Sequence, residues 1–126
     1  MIQTKEVEST CFVLFNGDKE WRNKNSKLHR DNDPAIERVN GDKFWYQNGK
    51  LHRLYDPAVE CVSGYKAWYK NGEFHRLDGP AVEYANGNKY WYQNDKLYRL
   101  DGPAIEWIDG RKWWYQNGKF VKSESI

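Results

Sequence analysis

The sequence predicts an all-β protein: an elongated single-sheet β-hairpin repeat array of about 4.5 copies of a 23-residue unit. Three observations predict it. Six residue types recur in one register, each copy carries two turn signals around short alternating strands, and aromatic residues stand in for aliphatic ones. Pro34, Pro57, Pro80 and Pro103 are each 23 residues apart, as are Trp45, Trp68, Trp91 and Trp114 and the tyrosines that follow those tryptophans. Arg30, Arg53, Arg76 and Arg99 keep the same step, and so do Glu37, Glu60, Glu83 and Glu106, and Lys43, Lys66, Lys89 and Lys112. Self-similarity of this kind is the signature of a stacked repeat architecture.

The chain divides as one repeat domain over 1–126: an N-terminal cap and degenerate repeat (1–33), full repeats (34–56, 57–79 and 80–102), and a C-terminal repeat and cap (103–126). In the first copy Cys11 to Gly17 takes the place of Ala35 to Gly41, with apolar residues where the interior copies put charge. The segment from Lys19 to Asn25 has one residue more than its counterpart from Lys43, so a bulge is expected there. In a full unit Ala81-Val82-Glu83-Tyr84 alternates with period two, Asn86-Gly87 is a hairpin signal, and Lys89-Tyr90-Trp91-Tyr92 is the return strand. A second Asn-Gly at 48–49, 71–72 and 117–118 turns the chain again, with Asp95 replacing the glycine in one copy. Proline then opens the next strand, where its missing N–H does least harm. Read as a two-residue turn, Asn86-Gly87 puts Val82 opposite Trp91 and Tyr84 opposite Lys89. One face then carries the Trp ladder with Val and Ile, and the other the Tyr ladder with Ala and Glu.

Leu, Ile, Val and Phe make only 24 of the 126 residues, about the one-fifth level at which a highly charged chain fails to fold. The net charge is +2, however, and seven Trp and nine Tyr replace the missing area, each large enough to bury about 150–250 Å². An ordered protein built on aromatics follows. No run of 18 apolar residues occurs, so no membrane span is expected. The first ten residues lack the apolar core of a signal peptide, which makes the cytoplasm the expected compartment. The near-neutral charge argues against nucleic acid as the partner.

The elements N-G-K-L-H-R-L-D-G-P-A-V-E-Y and W-Y-Q-N-G-K resemble the membrane occupation and recognition nexus (MORN) repeat, in the variant form of bacterial antitoxin-type proteins and of large DNA viruses and phages. The resemblance covers about residues 10–120. It implies an elongated sheet of successive hairpins and a protein partner, met in the host cytoplasm if the chain is phage-encoded. One departure is Arg30, Arg53, Arg76 and Arg99 where the common form has a glycine after the histidine.

A residue present in every copy serves the stack first. His29, His52 and His75 share one slot, filled by Tyr98 in the next copy. Copies should lie about 10 Å apart, too far for the roughly 2 Å bonds of one zinc ion. The Glu ladder reads as ion pairing with basic residues of the same unit rather than as a hydrolase pair. Asp78-Gly79 and Asp101-Gly102 are turns, and no phosphate-binding loop is present. We therefore expect no catalytic residue, no metal and no cofactor. Cys11 and Cys61 sit two copies apart, about 20 Å, beyond the roughly 7 Å reach of a disulfide.

Specificity belongs where the copies disagree. Two slots diverge most: Arg38, Cys61, Tyr84, Trp107 and Phe44, Ala67, Tyr90, Trp113. Both grow larger and more aromatic toward the C-terminus, and Tyr and Trp are enriched at binding hot spots. Tyr84, Tyr90, Trp107 and Trp113 are thus the expected partner-binding residues of a non-enzymatic protein-binding, inhibitor-like protein. With the two-residue turn, 84 and 107 fall on one face and 90 and 113 on the other. The alternatives are a membrane-lipid surface module and an aromatic binder of glycan or single-stranded nucleic acid. The run Cys11-Phe12-Val13-Leu14-Phe15 carries no charge, so this edge is either covered by residues 1–9 or paired in a homodimer.

Overall fold

The computed structural model describes residues 8–125 and contains no helix among them. Eleven strands form one sheet whose spatial order follows the chain: Thr10–Val13, Lys19–Arg22, Ile36–Glu37, Lys43–Phe44, Val59–Glu60, Lys66–Ala67, Val82–Glu83, Lys89–Tyr90, Ile105–Glu106, Lys112–Gln116 and Lys119–Glu124. Every neighbouring pair is antiparallel. Ten strand spacings of about 4.8 Å give a sheet about 48 Å long, the elongated all-β hairpin array that the repeat predicts. Three short hairpins stand outside it: Tyr46–Gln47 with Lys50–Leu51, Tyr69–Lys70 with Glu73–Phe74, and Tyr92–Gln93 with Lys96–Leu97.

The register differs from the expected one because the turn at Asn86-Gly87 is a residue longer. Tyr84 N–H donates to the Asn88 carbonyl and Gly87 N–H to the Tyr84 carbonyl, each at 2.9 Å. Residues 85–87 thus form a three-residue loop closed by Gly87 at φ 100, a type I turn with a left-handed bulge residue. Val82 therefore faces Tyr90 and Glu83 faces Lys89. A shift of one residue moves every side chain to the other face. The Trp ladder consequently shares its face with Ala and Glu, and the Tyr90 slot shares its face with Val and Ile, the reverse of the two-residue reading.

The second Asn-Gly is the two-residue turn. Asn48, Asn71 and Asn117 have φ near 50 and their glycines φ near 80, both central residues left-handed as a type I′ turn requires. Asn94-Asp95 keeps the same form, with φ 50 and 67. In the first copy the extra residue is absorbed in this turn. Asn23 N–H bonds to the Lys27 carbonyl and Ser26 takes φ 62, so Arg22 still bridges Leu28 and the strand register survives.

The core is thin. Ala35, Ala58, Ala81 and Ala104 are fully buried, and the four ladder prolines are buried beside them. Across the sheet, Val59, Ala67 and Val82 form a cluster packed by Leu51, Tyr69, Phe74 and Tyr92 of the short hairpins. The hairpins cover one end of the strands on that face and leave the turn end open. At the first strand, Thr10–Val13 is exposed throughout. The expected covering by residues 1–9 falls mostly on residues 1–7, outside the described residues.

Candidate functional site

Two sets of residues define the two faces. On the Trp face each ladder arginine lies flat on a tryptophan, its guanidinium carbon 3.8 Å from the Trp21 ring centre for Arg30, 3.8 Å from Trp45 for Arg53, 3.7 Å from Trp68 for Arg76 and 4.0 Å from Trp91 for Arg99. The same guanidinium donates to a proline carbonyl four residues on, at Pro34, Pro57, Pro80 and Pro103. It also meets Glu37, Glu60, Glu83 or Glu106 at 3.0–3.5 Å. One planar cation thus ties the aromatic of one hairpin to the carbonyl and carboxylate of the next strand, a task that needs Arg rather than Lys. This explains the arginine that follows each histidine.

The histidines are occupied as well. His29, His52 and His75 Nδ1 accept the backbone N–H of Asn48, Asn71 and Asn94 at 3.0, 3.0 and 3.1 Å. Each ring thereby holds the turn of the following copy, and the buried His29 also meets Asp31 through Nε2 at 3.0 Å. Burial and the nearby Lys70 hold the His52 pKa below its ordinary value. A backbone N–H donated to Nδ1 requires that nitrogen unprotonated, which points the same way. These residues do structural work in each of the three copies that carry them. Among the described residues no three of His, Cys, Asp and Glu come together as a metal site. Cys11 and Cys61 are free thiols, and burial beside Asp42 pushes the Cys61 thiol up.

The opposite face holds the two divergent slots together. Tyr84 and Tyr90 meet edge to face at 5.2 Å, Tyr90 and Trp107 at 6.3 Å, and Trp107 and Trp113 at 5.2 Å. Tyr65 extends the chain of rings beyond Tyr84 at 5.4 Å, and Phe120 beyond Trp113 at 5.6 Å. The expected division of the four residues between two faces is therefore corrected: they form one strip across the C-terminal half. Tyr65, Tyr115 and Phe120 belong to it too. Tyr65 was signalled by standing where other copies carry Asp42 or Asn88, Phe120 by lying in the last strand, and Tyr115 only as the ladder tyrosine of the last copy. Within the strip Tyr84 is 41% exposed and Phe120 is exposed. Partial burial raises the phenol pKa values of Tyr65 and Tyr84. Arg111 lies 4.8 Å from the Trp107 ring and is held by Asp109 at 2.8 Å.

In the N-terminal half the same slots hold different chemistry. Glu20 pairs with Arg22 at 3.0 Å, Arg38 sits 5.2 Å from Phe44, and Ala67 is fully buried. No family model matches the chain, and no curated protein matches it significantly.

Proposed function

We propose that this is a non-enzymatic, MORN-like repeat protein that binds a protein partner through the strip of Tyr84, Tyr90, Trp107 and Trp113, as an antitoxin-type or phage-encoded inhibitor of a bacterial toxin or defence protein would, in the cytoplasm of the cell that holds it. One observation carries the reading: the slots that vary between copies are the ones whose side chains join into a single half-exposed aromatic surface. The ladder residues that resemble catalytic groups are engaged in holding neighbouring copies together. A lipid-surface role has less support, because Lys and Glu oppose each other in every copy, as in Lys66 with Glu60 and Glu83, and leave no basic field for anionic lipid.

The test is affinity capture from lysate with and without nuclease, read by mass spectrometry, for wild type and Trp107→Ala. A nuclease-resistant protein retained by wild type and lost with the folded variant is the expected result. Retention by both, or recovery of nucleic-acid-binding proteins that nuclease removes, overturns it.

A second reading concerns the first strand. Phe12, Val13, Leu14 and Phe15 are exposed with no charge among them, whereas the strand at the opposite edge carries Lys119, Lys122 and Glu124. Charges guard an edge against pairing, so a homodimer forms through the N-terminal edge if it forms at all.

A further inference from the structure

We infer that the aromatic strip takes an uncharged, proline-rich segment in the polyproline II conformation, lying across the strands along the array. The inference rests on the strip being the protein-binding surface and names the chemistry of what it binds. Tyr84 and Trp107 are equivalent residues two strands apart, as are Tyr90 and Trp113. Any ligand running along the array therefore meets the same slot every two strand spacings, about 9.6 Å. A polyproline II helix repeats every three residues, about 9.3 Å, so each third residue returns to an equivalent pair of rings. An extended β-segment returns its side chains every two residues, about 6.7 Å, and falls out of step within one copy.

The rings have the matching form. Edge-to-face contacts at 5.2, 6.3 and 5.2 Å tilt each ring against the next, so that only Trp113 and Tyr115, 25° apart in plane, approach the coplanar platform on which a sugar lies flat. Rows of tilted aromatic rings accept proline rings, and a segment already held in polyproline II loses little entropy on docking. Its backbone carbonyls have no internal hydrogen bonds and suit tyrosine hydroxyl and indole N–H donors. Charge complementarity agrees. Beside the rings Arg111 is neutralised by Asp109, while the Lys and Glu ladders lie on the other face, so a charged chain gains nothing here. From Tyr65 to Phe120 the strip crosses six strands, five spacings or about 24 Å. That length takes about eight residues of polyproline II.

The probes are capped, uncharged peptides of three, six, nine and twelve residues built on an Ala-Pro-Pro unit, titrated into the intact protein and read by tryptophan fluorescence and calorimetry. A Val/Thr peptide, cellohexaose and oligo-dT are the comparison ligands. Saturable binding that strengthens up to nine residues and then levels, and that weakens at least tenfold in Trp107→Arg with melting unchanged, is the expected result. Tyr84→Arg provides the same test if the first variant is unstable, because Tyr84 is 41% exposed and Arg already fills that slot at position 38. Absence of saturable binding, equal binding by the variants, or preference for any comparison ligand overturns the inference. If the proline peptides fail while a captured partner still depends on Trp107, the ligand class alone is wrong. If capture is also indifferent to Trp107, the binding strip itself is wrong.

Discussion

The Trp–Arg face and the aromatic strip share one backbone, yet the first repeats its residues in every copy and the second changes at each step. On the first, Trp68, Arg76 and Glu83 form a bonded unit that recurs as Trp45, Arg53, Glu60 and as Trp91, Arg99, Glu106. On the second, Arg38 and Phe44 give way to Cys61 and Ala67, then to Tyr84 and Tyr90, then to Trp107 and Trp113. The geometry that stacks copies allows one solution, so its residues are fixed. A surface that only has to be wide enough to meet something else is free to vary, and the variation marks it.

The largest expected effect comes from breaking the fixed face at its centre. Trp68→Ala should cost about 3–5 kcal/mol, a loss read from the midpoint of urea unfolding. A cost below 1 kcal/mol would mean that the stack is not the principal brace. Arg76→Lys removes the flat guanidinium but keeps the charge. It should cost about 1–2 kcal/mol through the ring contact and the bonds to Pro80 and Glu83, and an unchanged midpoint would show that charge alone suffices.

Acid should act on His52 before it acts on Asp18. The His52 pKa in the fold lies below its ordinary 6.5, so its contribution is complete above about pH 6.5 and is lost as pH falls from there toward the folded value. Asp18, held low by the Val39 N–H and by Asn16 and Arg38, contributes above its ordinary 3.8 and loses that as pH falls further. Melting temperature should therefore decline in two stages on acidification. The first stage should shrink in His52→Gln, and a first stage of unchanged size would remove His52 as its source. The smallest effect on stability is expected at the N-terminal edge. Val13→Lys should leave melting within a degree or two and, in a dimer, halve the mass seen by light scattering.

Much of this was legible in the sequence. The 23-residue ladders give the array, and Asn-Gly with alternating residues gives the hairpins. What could not be read from Asn-Gly alone was turn length, since the same dipeptide closes a three-residue loop at 86–87 and a two-residue turn at 48–49. The information was present elsewhere. Glu83 and Lys89 are six residues apart, as are Glu37 and Lys43, and opposite charges facing each other across a hairpin are compatible only with the longer loop. That single residue decides whether Trp107 and Trp113 part or meet. The Arg clamp was hidden for a different reason: its partners are a ring eight residues back and a carbonyl four residues ahead, which join only once the short hairpin folds against the sheet.

The most direct test replaces the last pair of variable residues by those of an earlier copy. In Trp107→Arg with Trp113→Phe the C-terminal slots take the residues of Arg38 and Phe44, which the same backbone already accommodates. Affinity for the captured partner is measured beside the melting temperature. The division of labour between the faces predicts a folded protein, melting within a few degrees of wild type, whose affinity falls by at least about thirtyfold, as loss of a hot spot worth about 2 kcal/mol requires. A folded variant that binds at wild-type strength would contradict it.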